Sequence, residues 1–148
     1  MKLSSKTLLP AISLPLLLSA CVSQGNSMTS ISAQDLQHHH WQLSHIDGKA
    51  LEENEATLIP RLEIGENLTA NGFAGCNQFF GQAELKGTQL RIEKMGMTMK
   101  MCHEEQMHIE QVVSGTLTHW SEVTLTNETL TLKSAQHELV FTQRDWVN

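Results

Sequence analysis

Cations are scarce in this chain. Its 148 residues carry ten Lys and Arg against sixteen Asp and Glu. Two of the ten, Lys2 and Lys6, fall in the first six residues, so from Cys21 onward eight cations face sixteen carboxylates, a net charge of −8. No basic patch is left to neutralise a run of phosphates, which excludes nucleic acid as an expected partner. Long apolar runs are missing as well. The strongest, Leu8 to Leu18, has eleven residues and is interrupted by Pro10 and Pro15. A membrane-spanning helix needs about 20. The sequence holds no Walker loop and no dinucleotide-binding glycine fingerprint. It has no CxxC or HxxxH pair, which leaves little signal for zinc. Cysteine is limited to Cys21, Cys76 and Cys102, and three of only four phenylalanines crowd into GFAGCNQFFG, residues 72–81.

What is present begins at the N-terminus. Lys2 and Lys6, the short apolar run, and the small residues Ser19 and Ala20 have the layout of a secretory signal. Leu18-Ser19-Ala20-Cys21 also resembles the bacterial lipobox, which implies cleavage before Cys21 and lipid attached to it. Several acyl chains hold a protein on a membrane where one does not. Val22 after the cysteine, by resemblance to enteric lipoproteins, points to the outer membrane. Residues 1–20 are therefore expected to be a lipoprotein signal. Residues 21–37, rich in Ser, Gln and Asn, are expected to be a flexible tether, and 38–148 one domain large enough for a core. In an oxidising envelope the two remaining cysteines, Cys76 and Cys102, form the simplest even pair, a disulfide. Their separation of 26 residues gives it roughly 3 kcal/mol on loop-closure entropy.

The domain reads as strands around one helix. Short apolar-alternating stretches fall at Trp41–Ile46, Thr57–Ile64, Asn67–Ala70, Phe79–Leu85 and Gln89–Glu93, with Pro60 weakening the second. Asp47-Gly48 and Asn71-Gly72 read as tight turns. Met95, Met97, Met99 and Met101 recur at period two, so in a strand they share a face, and the simplest reading packs them in the core. Ile109, Val112, Val113, Thr116, Leu117 and Trp120 follow helical spacing, which predicts a helix over about His103 to His119 with Glu104 and Glu105 in its first turn. Three strands close the chain at Glu122–Thr126, Thr129–Lys133 and Glu138–Gln143. The expected class is α+β: a curved antiparallel sheet or incomplete barrel with one amphipathic helix packed on it.

Few constellations point to chemistry. A nucleophilic thiol needs a base in space and a lowered pKa, and no protease-like signature surrounds either domain cysteine. The carboxylates form two solvated groups, Glu52, Glu53 and Glu55 in a loop and Glu104 and Glu105 at the helix start. His38, His39 and His40 read as a solvated turn at the tether junction. The sharpest alternative is a soft-metal site. Thioether, thiolate and imidazole together suit Cu(I), and Met99, Met101, His103 and His108 are the candidate ligands within the Met/His-rich stretch 95–108.

A family comes into view from four stretches in order: HHHWQLSHIDGK, GFAGCNQFFGQAEL, MGMTMKMCHEEQMHIEQVVSGTL and TLTLKSAQHELVFTQ. Together they resemble the META domain of HslJ-like bacterial envelope proteins. The family features fall on Trp41 and Leu43, on Gly75, Cys76, Asn77 and Gly81, on Thr98 and Cys102, on Glu110, and on Leu130 and Leu132. Lys100 departs from the pattern, which often has an apolar residue there. The resemblance covers residues 38 to 143. It implies a small β-rich, partly barrel-like domain, lipid-anchored or exported, tied to heat shock, stress or secretion, with no established catalytic residues. The expectation is a lipid-anchored outer-membrane protein facing the periplasm. It would be stress-related and not an enzyme, would need no cofactor, and would bind a protein partner or a small apolar ligand. The alternatives are a soft-metal binder and, third, an uncharacterised enzyme.

Overall fold

The structure, a computed structural model, describes residues 30–54 and 58–144. The expected signal and lipidation site at Cys21 lie outside the described residues. A four-residue helix α1 (Ala33–Leu36) is followed by β1 (His39–Ile46), β2 (Lys49–Ala50), β3 (Arg61–Ile64), β4 (Thr69–Phe73), β5 (Gln78–Lys86) and β6 (Gln89–Met97). Helix α2 (Glu104–Thr118) comes next, then β7 (Ser121–Leu125), β8 (Thr129–Lys133) and β9 (Glu138–Arg144). Every pairing is antiparallel, in the order β1-β3-β4-β5-β6-β7-β8-β9, and β9 returns to β1 through His40↔Arg144 and Ile46↔Leu139. The sheet is therefore a closed eight-stranded barrel rather than the curved sheet or incomplete barrel read from the sequence. Strand alternation gives no sign of closure, because the pairing that closes it joins the first and last strands, about a hundred residues apart. The two-residue β2 is a short ribbon turned back on β1.

The inward row of each strand fills the barrel. Trp41 and Leu43, Leu62 and Ile64, Phe79, Leu90 and Ile92, Leu130 and Leu132, and Leu139 and Phe141 are all buried to within 2% of full burial. Eight strands leave an interior just wide enough for such side chains. Helix α2 covers one side with Ile109, Val112, Val113, Thr116 and Leu117 and lies against β6 and β9. Its ends, with His103 and His119 as cap residues, match the predicted span.

Four local expectations change. Residues 31–36, expected to belong to the flexible tether of 21–37, are docked: Ile31 and Leu36 are core residues, and Ser32 closes α1 by donating its backbone N–H and its hydroxyl to Asp35. Two apolar side chains in a polar stretch were enough to dock it. His39 and His40 are strand residues, not a solvated turn. The His39 ring lies 5.4 Å from Trp41, and His40 faces Glu63. Asn71-Gly72 is not a turn but the middle of β4, paired with β3 and β5. A Cβ on Gly72 would fall 2.0 Å from the Arg61 carbonyl and 2.8 Å from the Phe79 ring, so this glycine answers a close approach. Finally, the methionine row does not stay on one strand. The backbone turns at Lys94 (φ 51°), β6 ends at Met97, and only Met95 and Met97 pack against the core. Met99 and Met101 are exposed.

The barrel has two distinct ends. Ile31 N–H donates to Gly87 O, so the chain enters beside the β5–β6 turn. The nine residues of β5 then run about 30 Å to the far end. There residues 74–77, 98–103 and the start of α2 meet.

Candidate functional site

The far corner is built around a four-residue connection between β4 and β5. Ala74 N–H donates to Asn77 O, closing a tight loop. Gly75 sits at φ 132°, and a Cβ there would meet Ile109 Cγ2, Gln106 O and Glu110 N at 3.0–3.1 Å. Glycine is required on both counts. With no side chain in the way, α2 rests directly on the loop backbone and brings Glu110 to it. The Glu110 carboxylate is buried. Its Oε2 accepts the backbone N–H groups of Cys76 (3.1 Å) and Asn77 (2.5 Å), and its Oε1 accepts Asn77 Nδ2 (2.9 Å). The charge is held by N–H donors rather than by a cation. Charge-assisted bonds of this kind are among the strong ones.

Asn77 passes the connection on. Its Oδ1 accepts from Lys100 N–H (2.6 Å) and from Thr98 Oγ1 (2.9 Å), and its Nδ2 also donates to Lys100 O (3.0 Å). The amide thereby uses both its donors and both its lone pairs. Thr98 Oγ1 in turn accepts Gln78 N–H at 3.1 Å. Cys76 and Cys102 are joined by a disulfide, with Cα atoms 5.8 Å apart. The stretch 98–102 is thus held at Thr98, at both backbone polar groups of Lys100, and at Cys102.

The residues singled out from the sequence divide cleanly. Cys76 and Cys102 are brought together at this corner. Met99, Met101 and His103 lie on its outer side, all exposed, with Met99 at 96% and Met101 at 82% of full exposure. His108 lies a turn and a half further along α2, also exposed. Among the described residues no three His, Cys, Asp or Glu side chains come close enough to hold one metal ion. The bonding role of Glu110 is new, although the sequence carried a trace of it. Gln106, Glu110, Val113 and Leu117 follow helical spacing on one buried face, and a carboxylate inside an apolar stripe has to find partners.

A second polar link ties two turns at the same end. Asp47 (φ 50°) accepts Glu138 N–H at 2.8 Å and lies 2.8 Å from His137 Nδ1. The backbone bond from Glu138, then the His137 contact, hold its carboxyl below the ordinary 3.8.

These features define a class: a small closed antiparallel barrel, covered by one helix, whose Gly-Cys-Asn loop is fixed to that helix by a buried glutamate and to the next loop by a disulfide. The chain belongs to the META domain family, whose model matches residues 34–146. It is 30% identical to the heat shock protein HslJ of Escherichia coli (strain K12) over 138 residues, 93% of this chain and 95% of that protein. A protein solved by NMR superposes with a TM-score of 0.69 at 28% identity, covering 80% of this chain and 99% of that one. A second NMR structure, of a protein from Burkholderia xenovorans, gives 0.62 at 25% identity over 77% and 87% of the two chains.

Proposed function

We propose that this chain is a non-catalytic, lipid-anchored envelope protein, held on the outer membrane through Cys21, that serves a stress response by binding a protein partner at the far end of its barrel. The observation that carries the reading is the filled interior. Trp41, Phe79, Phe141 and nine aliphatic side chains take up the core at under 2% exposure. That argues for a partner on the outside over the small apolar ligand in the barrel that the sequence left open. Among the described residues the exposed large apolar side chains are Leu58, Phe80, Met99 and Met101. They sit just before β3, near the start of β5 and just after β6, strand ends that pair around Gln78 and Phe79 rather than near Gly87 where the chain enters. Scattered exposed apolar residues are ordinary, but a group at one end of a barrel favours an interaction site. A tether entering at the opposite end would leave that surface facing away from the membrane. Membership of a family with a heat-shock relative supports the stress setting.

Two experiments test this. Replacing Cys21 with Ala should release the protein from the membrane fraction, and continued partition with the membrane would end the lipid-anchor reading. A photo-crosslinking residue placed at Phe80 should give a discrete adduct in intact cells, and one placed at Lys86, near the opposite end, should not. Equal adducts from both positions, or none from either, would contradict the docking end.

A further inference from the structure

We propose that Met99, Met101 and His103 form a binding site for a soft monovalent cation, Cu(I) or Ag(I). Methionine is an apolar side chain that usually fills core gaps, yet Met99 and Met101 are almost fully exposed. The loop that carries them is not slack. Lys100 N–H and O are both bonded to the Asn77 amide, and Cys102 is tied to Cys76. These bonds turn the backbone of residue 100 and the sulfur of residue 102 toward the barrel. Met99, Met101 and His103 are all exposed in this non-strand segment, which ends at the start of α2. Met99 and Met101, two residues apart, are separated by at most about 7 Å of chain, a span that flexible thioether arms can close onto one ion.

The chemistry selects the class of ion. Two thioethers and one imidazole are soft-to-borderline donors that suit Cu(I) and Ag(I) and bind Mg(II) or Ca(II) poorly. Glu104 and Glu105, next in the first turn of α2, add negative charge nearby, and Lys100 opposes it with one cation. With Cys102 in the disulfide, no thiolate of this corner competes for the ion. The site shares Met99 and Met101 with the proposed docking surface, but ion binding needs no partner protein and is read separately from it.

The probe is Ag(I), which is redox-inert under these conditions, added to the full chain in chloride-free buffer after any free thiol has been alkylated without reductant. Native mass spectrometry should show one Ag(I) retained per chain. In competition with a chromophoric chelator, Met99→Leu with Met101→Leu should weaken binding roughly 100-fold, and His103→Asn roughly 10-fold. Both methionines are exposed, so circular dichroism should show both variants folded. No retention by the wild-type chain would overturn the proposal, as would retention undiminished in the double variant. Binding that falls instead with His38→Ala and His40→Ala would overturn it too. Zn(II) retention with the same dependence on Met99 and Met101 would overturn the soft-ion assignment.

Discussion

The wall made by β7, β8 and β9 and the corner around Cys76 lie in one barrel but are specified in different ways. The wall is a run of short strands with Val123, Leu130, Leu132, Leu139 and Phe141 alternating inward, joined by tight turns such as the one Thr126 N–H closes onto Thr129 O. Its information is spread over many interchangeable apolar positions. The corner rests on single residues with defined partners: Gly75 for space, Glu110 for three N–H donors, Asn77 for Thr98 and Lys100, and Cys76 for Cys102. The lesson is that a conspicuous polar motif in a small domain can be a brace. Both cysteine sulfurs of this corner are committed to the disulfide.

The largest expected effect breaks the brace at its centre. Glu110→Ala leaves two backbone N–H groups and one Asn77 donor buried without their acceptor, which should cost about 4 kcal/mol. Leu132→Ala in the wall should cost about 3 kcal/mol through lost burial and a cavity. Urea unfolding of both variants checks the comparison. The two differ in kind as well as size: a volume-conserving Leu132→Met should cost less than about 1.5 kcal/mol, whereas no isosteric apolar residue rescues position 110. Next comes the disulfide. Cys76→Ser with Cys102→Ser, or reduction of the native pair, should lower stability by roughly 3 kcal/mol and increase proteolysis at 98–102 before anywhere in β7–β9. Proteolysis that begins in β7–β9 would place the weak point in the wall.

The smallest effect concerns pH. The folded carboxyl of Asp47 lies below 3.8, so its contribution is fully present above that value and is lost as pH falls through the lower folded one. Wild type and Asp47→Asn should therefore differ most near neutrality and converge in stability in acid. A difference that grows as pH falls would reverse the sign. The exposure of the pair keeps the effect small.

The wall was legible in the sequence almost residue by residue, because period-two alternation is a local signal, and so were the limits of α2. Closure was not, since pairing β9 with β1 is a long-range event with no local mark. Misreadings fell where one residue carried two messages. Asn71-Gly72 has the composition of a turn, but the Phe79 ring and the Arg61 carbonyl decide the role of Gly72. Met99 and Met101 continue the period of Met95 and Met97, but β6 ends at Met97 and the clamp on Lys100 holds the following residues outside the sheet. At the corner, the cysteine pair and the glycines could be named from the sequence. The partners of Glu110 and Asn77 could not, because they lie more than twenty residues away in the chain.

The central claim is that Glu110 and Asn77 act as one unit bracing the loop. A double-mutant cycle with Glu110→Ala, Asn77→Ala and the combined variant, measured by equilibrium urea unfolding, tests it most directly. The account predicts that the combined loss falls short of the summed single losses by at least about 1 kcal/mol, since each single change already breaks the shared bonds. Losses that add to within about 0.3 kcal/mol would show that the two residues act independently, and would contradict it.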